Sequence, residues 1–212
     1  VIVGILAISQ TLAILTAGID LSVGANAIFI TVLGAEFMGS GGQAGLIIPL
    51  IAMIALGLLI GFINGVGIGV FRLPPIVMTL GMMTIVSGIT LIWTGGTPTG
   101  SAHPALVSFA SESFMGIPIM GTFWVVLTII TWFVLRKTKF GREVYAFGSN
   151  QVASYFSGIQ TRKVEVLVYT IGGFMVALSS ACYLGWISYP AIMATGSGVG
   201  MGFLLPSLAV VV

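Results

Sequence analysis

The chain has 212 residues, 58% of them hydrophobic and only 6% charged, with a formal charge of +2 and a mean hydropathy of +1.19. Soluble domains carry about 25% charged residues, so this composition cannot cover a water-facing surface and excludes a soluble globular protein. The apolar runs are continuous rather than alternating, which points to a helical membrane protein and not a barrel, and seven basic residues leave no footprint for nucleic acid.

A helix needs about 20 apolar residues to cross the hydrocarbon core, with roughly 17–25 as the range. In chain order this predicts spans near 1–17, 23–38, 46–71, 76–93, 119–135 and 166–187, with a seventh begun at 204–212. The fold class is therefore all-α: a polytopic transmembrane helix bundle of about six complete spans plus the start of a seventh. The first residues lack the basic stretch and cleavage site of a signal peptide. The chain starts inside one apolar run and ends inside another (LLPSLAVVV), so truncation at both ends is expected.

Between the first two spans, Gly18-Ile19-Asp20-Leu21-Ser22-Val23-Gly24 interrupts the apolar run. Gly18 is expected to end one helix in a left-handed conformation, and Ser22 or Asp20 to cap the next. An acid near the bilayer costs about 2.5–3.5 kcal/mol on insertion scales, which makes Asp20 a functional candidate by default. It reads either as a structural cap at a tight corner or as a group in the substrate path. With Ser22, Asn26 and Asn64 it forms the set of translocation-path candidates. Glu36 lies near the end of the short second span.

In the third span Gly57, Gly61, Gly65 and Gly69 recur every fourth residue. That spacing puts them on one helix face, where missing side chains let another backbone approach. Asn64 sits beside this ladder, either bonding across a helix interface or lining a path. Arg72-Leu73-Pro74-Pro75 reads as a turn, because proline stops one helix and suits the head of the next. His103, in the loop 94–118, has no second ligand at metal spacing, so no metal is expected. The single cysteine, Cys182, permits no intrachain disulfide and reads as a packing residue.

Eight of the twelve charged residues fall between Arg136 and Glu165, including six of the seven Lys/Arg. Short basic loops stay in the cytosol, so loop 136–165 is placed there, with 72–75 on the same side and 39–45 and 94–118 outside. Trp93, Trp124, Trp186 and Tyr189 then fall at outer span ends and Trp132 toward the inner one, as interfacial aromatics do. Within the basic loop, Ser149 or Asn150 as N-cap and Gly158 as stop predict a short helix over 148–159, with Ala153, Phe156 and Ile159 as an apolar stripe. Such a helix rests on lipid headgroups or fits a groove of a partner. No GxxxxGK[ST] occurs, so this chain is expected to bind no nucleotide in the P-loop manner. No catalytic constellation lies inside the membrane, which argues against an enzyme.

LTAGIDLSVGANAIF, GFINGVGIGVFRLPPIVMTLGMM and TKFGREVYAFGSNQVASYFSGIQTRKVEVLVY, in that order, resemble the permease subunits of bacterial sugar ABC importers of the ribose/xylose/galactose type (carbohydrate uptake transporter family 2). The resemblance covers about residues 11–212. It implies a single permease domain over 1–212 in the bacterial inner membrane, paired with a second permease subunit as homo- or heterodimer to form the path for a monosaccharide. It implies cytosolic ATPase subunits, which hold ATP and Mg while this chain binds no cofactor, and an extracytoplasmic sugar-binding protein. Segment 148–159 matches the coupling helix, assigning ATPase contact to Gly148, Asn150, Ala153, Phe156, Ser157, Gly158 and Ile159. Two departures stand out. Relatives carry acidic residues in the coupling helix where this chain has Gln151 and Val152, so one salt bridge to the ATPase is expected to be missing. Ribose-type relatives show an acidic pair where this chain has Leu204, Leu205 and Pro206, which counts against ribose itself.

Two other readings of the residues are a secondary transporter with broken helices, at GIDLSVG and the Gly/Pro-rich 188–206, and a non-transporting scaffold whose loop merely binds a partner. The first needs intramembrane ionisable groups, for which only Asp20 and Glu36 are candidates. A path lined by Asp20, Asn26 and Asn64 between two copies would count against the second.

Overall fold

The computed structural model describes residues 1–39, 45–190 and 201–211. Most of the predicted outer loop 39–45, residues 191–200 of the predicted discontinuity 188–206, and the terminal Val212 lie outside the described residues. The described elements are helices α1 (Ile2–Leu15), α2 (Val23–Met38), α3 (Ile47–Gly69), α4 (Pro75–Thr94) and α5 (Pro104–Ser111), a two-strand hairpin β1 (Ser113–Phe114) and β2 (Ile117–Pro118), and helices α6 (Ile119–Lys137), α7 (Lys139–Ser149), α8 (Gln151–Phe156), α9 (Thr161–Ile187) and α10 (Met201–Ala209). The chain is an all-α, multi-pass bundle.

Among the described residues four helices are long and apolar enough to cross a membrane: α3, α4, α6 and α9, of 23, 20, 19 and 27 residues. The first two predicted spans form shorter helices, α1 with 14 residues and α2 with 16. At 1.5 Å per residue these reach about 21 and 24 Å, less than the ~30 Å hydrocarbon core. By length, four of the six predicted spans suffice to cross on their own.

The bundle is organised around α9, which packs against α1, α2, α3, α5 and α7 and is mostly buried. Its closest partner is α3, and the glycine ladder explains the proximity. A β-carbon on Gly57 or Gly61 would meet the backbone of Gly173, and on Gly61 also that of Tyr169; on Gly65 it would meet Val166, and on Gly69 Arg162. In lipid, helices associate through this close backbone contact rather than through a hydrophobic driving force between them. The main core of Leu6, Ile28, Ile30, Met53, Val176 and Leu184 fills the junction of α1, α2, α3 and α9. By contrast α4 and α6 expose most of their apolar surface, including Ile85, Ile92, Ile129 and Phe133.

Three loop expectations change. Residues 136–165 are largely helical: α7 occupies Lys139–Ser149, with Thr138 as N-cap accepting from the Gly141 amide. The predicted helix over 148–159 shrinks to α8, because Gly148 and Ser149 finish α7. The loop 94–118 contains α5 and the hairpin, whose two-residue turn Met115-Gly116 holds positive φ at both positions (52° and 81°), as a type I′ connection requires. His103 is the N-cap of α5, its Nδ1 accepting from the Ala105 amide at 3.2 Å. Among the described residues no group of His, Cys, Asp and Glu could hold a metal ion.

Candidate functional site

Two places at the basic end carry the polar chemistry. The first is the corner between α1 and α2. The amide of Gly18 donates to the carbonyl of Ala13 at 2.9 Å, and the residue in left-handed conformation is Ala17 (φ 56°), not Gly18. Gly18 has a different reason to lack a side chain: a β-carbon there would run into the Tyr169 hydroxyl. Ser22 occupies the N-cap position of α2 but makes no side-chain cap bond. Instead the Asp20 carboxylate accepts from the Ser22 amide (2.9 Å) and the Ser22 hydroxyl (2.6 Å), a local Asx turn. The predicted cap is thus a turn internal to the corner.

Ser22 Oγ in turn accepts from Asn26 Nδ2 at 2.9 Å and from Asn64 Nδ2 at 3.0 Å. The hydroxyl's one donor and two acceptor sites are all used. Gln10 Nε2 donates to the Asp20 carbonyl at 2.6 Å, and Thr79 Oγ1 reaches the Ile19 carbonyl at 3.3 Å. The structure therefore brings Asp20, Ser22, Asn26 and Asn64 together and ties α1, α2, α3 and α4 at one point. It does not arrange them around an open channel, for the four are at most 5% exposed. The Oδ1 atoms of Asn26 and Asn64 and the Oε1 of Gln10 are buried with no hydrogen-bond partner among the described residues. Gln10 and Thr79 escaped the sequence reading because each looks like an isolated polar residue in an apolar run.

The second place is α8. Asn150 caps it by accepting from the Ala153 amide at 2.9 Å. It ends with Gly158 at φ 81°, whose amide donates to the Tyr155 carbonyl, while the Ile159 amide reaches that of Ser154; this is the glycine-terminated wrap of a helix C-terminus. Of the predicted stripe, Phe156 is 82% exposed and Ala153 is exposed, but Ile159 turns inward against the cluster of Leu12, Val164 and Val168. Gly148 lies in α7, against the Leu15 carbonyl at the end of α1. The exposed apolar residues missed by the stripe are Val152 and Tyr155. With Phe156 they follow the i, i+3, i+4 spacing of a helix face, a pattern concealed by anchoring the stripe on Ala153.

A cleft of about 430 Å³ separates α8 from the α3–α4 turn and the start of α9, lined among others by Ala17, Arg72, Pro75, Tyr155, Arg162 and Glu165. Arg72 sits at the tip of that turn with φ 57°, and Pro75 opens α4 at its first position. Away from this end, Trp93 Nε1 donates to a Glu36 carboxylate oxygen, which joins the ends of α2 and α4.

Comparison with known proteins adds to this geometry. The family model described as "Branched-chain amino acid transport system / permease component" matches residues 1–212. The chain is 34% identical over 199 residues to the autoinducer 2 import system permease protein LsrC of Salmonella typhimurium, covering 93% of this chain and 56% of the relative. It is 31% identical over 212 residues to the ribose import permease protein RbsC of Escherichia coli K12, covering 98% of this chain and 64% of the relative. The chain thus spans a little over half to just under two thirds of the length of these relatives. No solved structure matches it.

Proposed function

The chain belongs to that permease family, and on this premise we propose that it is the membrane-spanning part of an ATP-driven importer for a small sugar or sugar-like solute. It is then a transport component and not an enzyme. Both relatives above carry import permease names, one for autoinducer 2 and one for ribose, which favours a polyhydroxylated solute over an amino acid. The partners are two ATPase subunits holding ATP and Mg, a second permease subunit and an extracytoplasmic binding protein. Residues 1–212 form one permease domain in a bacterial inner membrane, with the basic end facing the cytosol and α1 and α2 lying within the bilayer beside the four long helices.

The observation that carries this reading is α8: a capped helix of six residues that presents Val152, Tyr155 and Phe156 to the outside at the basic end. Exposed aromatic anchors on a rigid, capped element are what a docking surface supplies. An ATPase docked on α8 moves α7 with it. Through Gly148 it acts on the end of α1, and so on the Asp20 corner. In the described arrangement the corner is closed on itself. We assign Asp20, Ser22, Asn26 and Asn64 to the path in the reoriented state, where the buried Asn26 and Asn64 acceptors meet sugar hydroxyls.

The test is Phe156→Ala in the complete transporter reconstituted in vesicles. Uptake of labelled sugar should fall at least about tenfold while the permease stays folded, consistent with removal of a central aromatic anchor worth about 2 kcal/mol or more. Normal uptake with unchanged ATPase stimulation sinks the docking assignment.

A further inference from the structure

Around α8 the charge distribution is uneven. Residues 150–161 contain no charged side chain, so the docking helix itself offers none. The clefts on either side of Tyr155 are basic. One, of about 430 Å³, is lined by Arg72, Arg162 and Glu165; the other, of about 670 Å³, by Arg72, Arg162 and Lys163. Arg72, Tyr155 and Arg162 belong to both walls, so the two form one trench that passes Tyr155. Its charge is three cations against one carboxylate. The sole ion pair within 4 Å among the described residues is Lys139–Glu143 on α7. Arg72, Arg162 and Lys163 are exposed and have no carboxylate within 4 Å; Glu165, on the same wall, feels the charge of Arg72 from beyond that distance.

We propose that this trench is a second contact surface for the ATPase subunit, one that takes acidic side chains of the partner between Arg72 and Arg162 while Tyr155 and Phe156 bury apolar surface beside them. The inference rests on the docking role given to α8. Its ground is the composition of one continuous wall, in which two guanidinium-bearing residues border an exposed aromatic helix. Arg and aromatic residues are the types enriched at protein–protein hot spots, and a guanidinium pairs a carboxylate through two parallel hydrogen bonds. A contact built from exposed cations also weakens with salt, which gives the surface a signature distinct from that of Phe156. An anionic lipid headgroup is the competing occupant. The exposed side chains of α8 that share the wall with the cations, Val152 and Tyr155, favour a protein.

The experiment uses the complete transporter in nanodiscs, with binding of its own ATPase subunits measured from low to high salt. Arg72→Gln with Arg162→Gln should weaken binding about tenfold at low salt and flatten the salt dependence. Lys137→Gln with Arg142→Gln, removing the same charge at exposed positions outside the trench, should change neither. Retained thermal stability of the first pair, at exposed positions, excludes misfolding as the cause. Wild-type affinity and salt dependence in the trench variant overturn the proposal. So does a loss that appears with anionic lipid and vanishes in neutral lipid, which assigns the trench to headgroups. If Phe156→Ala weakens binding and the arginine pair does not, the α8 docking role stands and the trench proposal falls. If the ATPase subunits do not bind the wild-type chain, the docking role falls first.

Discussion

Gly148, in the last turn of α7, lies against the main-chain carbonyl of Leu15, the residue that ends α1. The contact joins two regions that appear separate in sequence. On one side, α7 leads through Asn150 into α8; on the other, α1 leads through Ala17 into the corner held by Asp20 and Ser22. Backbone pressed on backbone leaves no soft side chain between them. A second such approach, Gly141 against the Leu135 carbonyl, fixes α7 to the end of α6.

Gly148→Ala places a β-carbon on the Leu15 oxygen and forces α7 away from α1. Overpacking of this kind costs about 1–3 kcal/mol. The expected outcome is a lower melting temperature of the purified permease and fewer sugars moved per ATP, with ATPase binding through α8 retained. A variant with wild-type melting and wild-type coupling ratio would remove Gly148 from the transmission path.

The glycine ladder makes a sharper comparison, because α4 offers its own control. Gly61→Val drives a branched side chain into the backbone of Tyr169 and Gly173, whereas Gly88 in α4 has open space around it. Gly61→Val should destabilise by several kcal/mol through loss of the α3–α9 contact and reduce the amount of folded protein. Gly88→Val should stay within about 0.5 kcal/mol. Thermal unfolding in one detergent, with both variants side by side, checks the difference.

Much of this was legible in the sequence for a physical reason. Apolar runs of bilayer length dominate any other signal, and four-residue glycine spacing has few uses besides close helix packing, so α3, α4, α6 and α9 follow almost directly from Gly57–Gly69, Pro74-Pro75 and the basic stretch. Short elements set by partners were not legible. Helix α7 is amphipathic rather than apolar and merges into a loop by composition. The left-handed residue is Ala17, while Gly18 makes room for the Tyr169 hydroxyl, a contact 151 positions away that no local pattern announces. The Asp20 corner is likewise held by Gln10, Asn64 and Thr79, which reach Asp20, Ser22 and Ile19 from α1, α3 and α4.

Asn64 tests how much that convergence is worth. Its Nδ2 is one of two donors to Ser22 Oγ, and interhelical hydrogen bonds in membrane proteins average about 0.6 kcal/mol with a maximum near 1.7. Asn64→Ala should cost an amount in that range. A double-mutant cycle with Ser22→Ala should show coupling of similar size, while a cycle with the distant, exposed Thr128→Ala should show none. Additive costs for the Asn64 and Ser22 pair would mean the bond contributes nothing.

Asp20 separates geometry from charge. An amide oxygen in its place still accepts from the Ser22 amide and hydroxyl, so Asp20→Asn should preserve the corner and the melting temperature. Asp20→Ala leaves both Ser22 donors buried without an acceptor and should cost about 1–3 kcal/mol. If transport needs only the turn, Asp20→Asn carries sugar normally and Asp20→Ala does not. If the carboxylate itself meets the solute in the reoriented state, Asp20→Asn melts like wild type yet loses uptake. The path role assigned to Asp20 requires this second pattern, read from melting and uptake on the same preparations; full uptake by Asp20→Asn restricts Asp20 to holding the α1–α2 corner.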